Sequence, residues 1–193
     1  YLSRGLTDFG DGFKYKLEHG DGKVVNYIWE ITDAFIEAVK KEEPDLVILS
    51  GDLTLNGERD SHLDFARKLK EIEDAGIPVI VIPGNHDINN TAAAQFTGAQ
   101  ALGTAHIGPE DFAEIYQDFG YDEAVSRDSA SLSYVYQIDD YNRALMLDTC
   151  QYAPYNQVGG MIQEETYDWI EDQMEDAWDL GMNVIPVGHH NLL

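Results

Sequence analysis

Three short blocks of this 193-residue chain carry side chains able to do chemistry. Gly51-Asp52 follows the apolar run Leu46-Val47-Ile48-Leu49, Gly84-Asn85-His86-Asp87 follows Val79-Ile80-Val81-Ile82, and Gly188-His189-His190 follows Asn183 to Val187. The donors suit a hard or borderline divalent cation. Asp52 has two carboxylate oxygens that can bridge two metals, Asn85 a neutral amide oxygen, and His189 an imidazole nitrogen, a mixture that fits Mn, Fe or Zn. Two cations about 3.5–4 Å apart lower the pKa of a water between them and clamp the oxygens of a phosphoryl group during in-line displacement. Such a centre hydrolyses phosphate esters without a covalent protein nucleophile. The glycine in each block lets the backbone turn sharply beside its ligand.

Elements must hold these blocks together. Apolar residues Ile28, Ile31, Phe35, Ile36 and Val39 recur at helical spacing over 26–43, with Glu37, Lys40 and Lys41 left for water. Pro44 ends that pattern ahead of a strand at 46–49. Leu63, Ala66, Leu69 and Ile72 predict a second helix over 60–75, closed by Gly76-Ile77-Pro78 before a strand at 79–82. This is a βαβ unit, and open α/β sheets bind ligands beyond the carboxyl ends of their strands. Asp52 and the Asn85 block fall there. Residues 88–108, rich in Ala, Gly, Asn and Thr, read as an excursion that shapes the substrate pocket, and 109–119 as a short helix. A hairpin is expected from Ser131–Ile138 and Arg143–Leu147, then a helix over 163–180 ending at Gly181 and a last strand at 183–187. No repeat, low-complexity tract or linker marks a second domain, so 1–193 reads as one domain.

Charge narrows the partners. With 36 acidic against 12 basic residues the formal net charge is −24, which repels long nucleic acid. A small phosphate ester remains compatible, because bound cations reverse the local potential. No apolar run approaches the roughly 20 residues that span a bilayer, and the first ten residues lack the features of a secretory signal. The sequence settles neither location, cytoplasmic or exported, nor oligomeric state. Cys150 is the sole cysteine and is not read as a nucleophile.

The blocks resemble those of the calcineurin-like metallophosphoesterases, whose pattern is Asp-x-His, Gly-Asp, Gly-Asn-His-Asp/Glu, a lone His after a strand, and Gly-His-x-His. The middle three are present in order. The resemblance implies a β-sandwich flanked by helices in α/β/β/α layers, a dinuclear centre, and hydrolysis of phosphate mono- or diesters by a metal-bound hydroxide. It assigns metal ligation to Asp52, Asn85 and His189, with His190 as the alternative to His189. It assigns catalysis to His86, which touches the phosphate and protonates the leaving group, and to Asp87, which orients His86. Manganese is among the expected metals. The first and last blocks are not in the chain, and Tyr1-Leu2-Ser3 is similar to the residues directly after the first block in some bacterial members. The chain is therefore expected to be incomplete at both ends. A non-catalytic binding or regulatory protein on the same fold is the competing reading.

Other polar residues read as structural. His19, His62 and His106 are expected at the surface, Asp148 as a turn residue, and the Asp8–Gly12 and Gly20–Gly22 segments as turn-rich loops rather than calcium sites. Trp29, Trp169 and Trp178 are expected to pack in the core.

Overall fold

The computed structural model describes residues 15, 19, 27–97 and 100–191. The Tyr1-Leu2-Ser3 start and the Asp8–Gly12 and Gly20–Gly22 segments lie outside these residues. The first half is the expected βαβ unit. Helix α1 (Ile28–Glu42) precedes strand β1 (Val47–Leu49), helix α2 (Arg59–Glu73) crosses over, and strand β2 (Val79–Val81) returns parallel to β1 with Val47 opposite Val79. Helix α1 stops because Glu43 turns left-handed at φ 47° and bonds its N–H to the Val39 carbonyl, and Pro44 cannot continue.

Residues 88–108 are more tightly held than an excursion would be. They form a hairpin of β3 (Ala94–Thr97) and β4 (Gln100–Gly103), and their ends, Ile88 and Ile107, are fully buried. Backbone bonds from Ile107 to Gly57 and from Arg59 to Ala105 pin the return strand to the loop after β1. Buried Glu58 adds to this by accepting from the N–H groups of Asn56 and Ala94. Helix α3 (Pro109–Ile115) follows, then a turn over Gln117–Tyr121 kinked at Phe119 and Gly120.

The second half builds a four-stranded sheet in the order β5 (Ser126–Arg127), β6 (Tyr134–Gln137), β7 (Asn142–Leu147), β8 (Asn183–Gly188). Strands β6 and β7 are the expected hairpin. Strand β8 joins β7 in parallel after helix α4 (Glu164–Leu180), a second crossover. Alternation along β7 shows how the layers stack. Ala144 and Met146 face a core shared with Val79 to Ile82, Ile36, Leu69 and Ile72, whereas Leu145 and Leu147 face away, toward Trp169 and Ile170 of α4. Helices α1 and α2, the β1–β2 sheet, the β5–β8 sheet and α4 therefore stack as α/β/β/α. The Tyr134 hydroxyl donates to the Val81 carbonyl at 2.7 Å and ties one sheet to the other.

Three packing expectations are corrected. His62 is fully buried rather than on the surface, because its position on α2 faces Tyr116 and the loops beyond the strands. Trp178 is 84% exposed, since α4 presents Trp169, Ile170 and Ala177 inward and Trp178 lies off that face. Ile31 and Phe35 of α1 are also exposed, leaving Ile36 and Val39 as its core contacts. Among the described residues no helix is long and apolar enough to cross a membrane.

Candidate metal centre

The loops after β1 and β2 meet backbone to backbone. Gly51 has φ +96°, and a Cβ there would stand 2.6 Å from the Gly84 Cα. A Cβ on Gly84 would in turn fall on the backbone nitrogen and Oδ1 of Asp52. Only two glycines permit this approach. Asp52 itself is left-handed at φ 56°, a conformation disfavoured for residues with a Cβ and tolerated best by Asp and Asn. The turn sends its carboxylate toward the second loop, where the His86 N–H donates to Asp52 Oδ1 at 3.1 Å.

Strand β8 delivers the third block. His189 Nε2 stands 3.1 Å from Asn85 Oδ1 and 3.4 Å from Asp52 Oδ1, so side chains from the ends of β1, β2 and β8 converge. The other ring nitrogen, Nδ1, is 2.8 Å from the Ser50 carbonyl. A carbonyl only accepts, so Nδ1 carries a proton and Nε2 is the nitrogen turned toward the two oxygens. In the ring form protonated only on Nδ1, Nε2 joins the two oxygens as a third lone-pair donor that a cation would hold together. Their spacing suits one, because ligands about 2.1 Å from an octahedral cation stand about 3 Å apart. The Nδ1 bond to Ser50 is also the kind of outer support that metal-ligating histidines use. Among the described residues no group of three or more His, Cys, Asp or Glu side chains is placed to hold a metal, and this set reaches three donors only through the Asn85 amide.

His190 points elsewhere. Its Nε2 is 2.9 Å from the Val158 carbonyl, its Nδ1 2.8 Å from Thr149 Oγ1, and its ring lies against Gly160. Of the adjacent histidines only His189 faces Asp52 and Asn85.

The His86 ring is held by a 2.6 Å bond between Nδ1 and the Leu55 carbonyl. Asp87 is expected to orient that ring, and its hydrogen bonds run to the two loops. Its carboxylate is fully buried and accepts from the N–H groups of Leu53 (3.1 Å), Thr54 (2.9 Å) and Gly84 (2.8 Å) and from the Thr54 hydroxyl (3.1 Å). These bonds fasten the two loops to each other beside His86.

His62 stands behind this knot, Nε2 3.0 Å from the Asp87 carbonyl and Nδ1 2.9 Å from the Tyr116 hydroxyl. Burial pushes its pKa below the usual imidazole value, against the pull of the Asp87 charge. Asp148 is a buried acceptor for the N–H groups of Leu132 and Cys150 and the Tyr152 hydroxyl, and burial raises its pKa. Cys150 is buried, donates its thiol to the Pro83 carbonyl, and is pushed far upward by burial, so it is not a thiolate nucleophile. The sequence places His62 at the surface and does not single out Thr54 or Thr149, because a histidine or threonine without companion ligands carries no local signal; only the fold shows what they touch.

Residues 8–192 match the family described as calcineurin-like phosphoesterase. Among solved structures the chain is similar to a dimetal phosphatase from Danio rerio, with 13% identity and a TM-score of 0.53, over 85% of this chain and 60% of that one. The chain thus spans less than two thirds of that protein, and the likeness is one of fold.

Proposed function

From the premise that the chain belongs to the calcineurin-like phosphoesterase family, we propose that it contributes to hydrolysis of a small phosphate mono- or diester at a centre of two divalent cations, Mn, Fe or Zn. The observation that carries this reading is the convergence of Asp52, Asn85 and His189 from three strand ends, with His189 Nε2 facing two oxygens. The residues fit a metal, and these three would hold it. When bound, two such cations acidify a water and offset the charge of the phosphoryl group.

The remaining roles belong to the chain's own groups. Asp52 is aimed by the His86 N–H and by its left-handed backbone. Asn85 contributes a neutral donor, which leaves more net positive charge for the substrate than a carboxylate would. His86, with Nδ1 committed to Leu55, would give a proton from Nε2 to the leaving oxygen. Asp87 keeps the two loops in register. The net charge of −24 disfavours polyanionic substrates and makes the cations the point where a phosphate ester is accepted. Three donors are fewer than two metals need, so further ligands would complete the centre. A binding protein that keeps the fold without turnover draws on that same donor count.

Manganese-dependent hydrolysis of p-nitrophenyl phosphate and bis-p-nitrophenyl phosphate tests the proposal, with His86→Ala beside the natural chain. Loss of about 10²–10⁴-fold in kcat on His86→Ala is expected of a proton donor. A folded chain that binds Mn²⁺ yet turns over neither ester would favour the binding reading, and one that binds no divalent cation would sink the metal centre.

A further inference from the structure

The segment 149–162 crosses beside the site as a closed strap, and nothing in the three ligand blocks accounts for it. It is shut by its own backbone: Met161 N–H donates to the Thr149 carbonyl at 2.9 Å and Gln157 N–H to the Gln151 carbonyl at 2.8 Å. Its root is fastened to the His189 block, where the His190 N–H donates to Thr149 Oγ1 and the His190 ring spans Thr149 and Val158. Its tip is fastened to the Asn85 block. Asn156 Nδ2 lies 2.7 Å from the Asn85 carbonyl and 2.8 Å from the Ile88 carbonyl. Both partners only accept, so the amide nitrogen must face them and both of its hydrogens are used. A second tie runs the other way, from Asn89 Nδ2 to the Tyr152 carbonyl at 3.2 Å.

We infer that Asn156 is a positioning residue for the metal centre, the point through which the 149–162 strap sets Asn85 relative to His189. The inference rests on the metal-binding role proposed for those two residues. Asn156 grips the peptide that carries the Asn85 side chain. The same strap ends on the residue next to His189. One amide therefore links two ligand-bearing loops that β2 and β8 place in different sheets. Without it the Asn85 and Ile88 carbonyls would turn to water and the Asn85 amide would no longer be aimed at His189 Nε2.

Calorimetric titration of the full chain with Mn²⁺ alone tests this, with Asn156→Ala, Asn156→Leu and Tyr155→Ala compared. Leucine keeps the branched shape of asparagine without its donors and alanine removes the amide altogether, so a failure to fold in one Asn156 variant leaves the other to decide. Tyr155 is the strap neighbour, 78% exposed, and serves as the control. Losing such a support is expected to weaken Mn²⁺ binding about 10-fold or more. The metal-free melting temperature should stay near that of the natural chain and Tyr155→Ala should bind as it does. Natural affinity in either folded Asn156 variant, or equal weakening in Tyr155→Ala, overturns the inference while leaving the metal centre standing. Absence of Mn²⁺ binding by the natural chain overturns both.

Discussion

Gly84 is the residue on which the site's geometry turns. Its missing side chain is the space Asp52 occupies, so Gly84→Ala must move one loop away from the other. A displacement of about 1 Å at a catalytic group costs on the order of 100-fold in rate. That loss is expected for Gly84→Ala in the ester assay, with far-UV circular dichroism little changed. His62 governs a different property. Its folded pKa lies below the ordinary value of roughly 6.5, so below that pH the unfolded chain binds a proton that the folded chain resists. Its contribution to stability is fully present above about pH 6.5 and is lost as the pH falls. Urea midpoints measured between pH 7 and 5 should decline, and a His62→Gln variant should decline less steeply. Asp87 makes contacts that its motif does not announce: Gly-Asn-His-Asp marks its position, and four hydrogen bonds from Leu53, Thr54 and Gly84 make it a clasp between loops.

At the scale of elements the strongly periodic segments were readable. The helices at 28–42, 59–73 and 164–180 and the strands at 47–49, 79–81 and 183–188 fall within a residue or two of their sequence patterns, because burying one face of a helix or strand requires that periodicity. The short β5 strand and the β3–β4 hairpin were not, since two to four residues give too few positions to show a period. Strand β7 has the most to lose. Its two faces serve different cores, so Met146→Ala and Leu145→Ala should both destabilise, each by about 2–5 kcal/mol in denaturant unfolding. Helix α4 shows the limit of pattern reading, for Trp169 and Trp178 both suited an amphipathic helix and only one is inside.

For the whole molecule, the net charge of −24 draws cations toward the chain and so favours the proposed centre. A cation binding only the folded chain stabilises it by mass action, and Mn²⁺ at 100 times its Kd contributes about 2.7 kcal/mol. For a domain of this size that is a rise of roughly 5–10 °C in melting temperature, reversed by a chelator. Scanning calorimetry checks it, and no rise at saturating Mn²⁺ would contradict the centre.

Residue types and spacing were enough to determine the βαβ unit, the three polar blocks behind strands, and the chemistry those donors suit, because local periodicity and loop composition are properties of neighbours in the chain. Tertiary structure alone decided that His189 rather than His190 meets Asp52 and Asn85, that Asp87 clasps loops, that His62 is buried, and that Asn156 reaches the Asn85 peptide. Each of these depends on which distant segments the two sheets bring within hydrogen-bonding distance, and adjacent residues in a chain point to opposite sides of the fold.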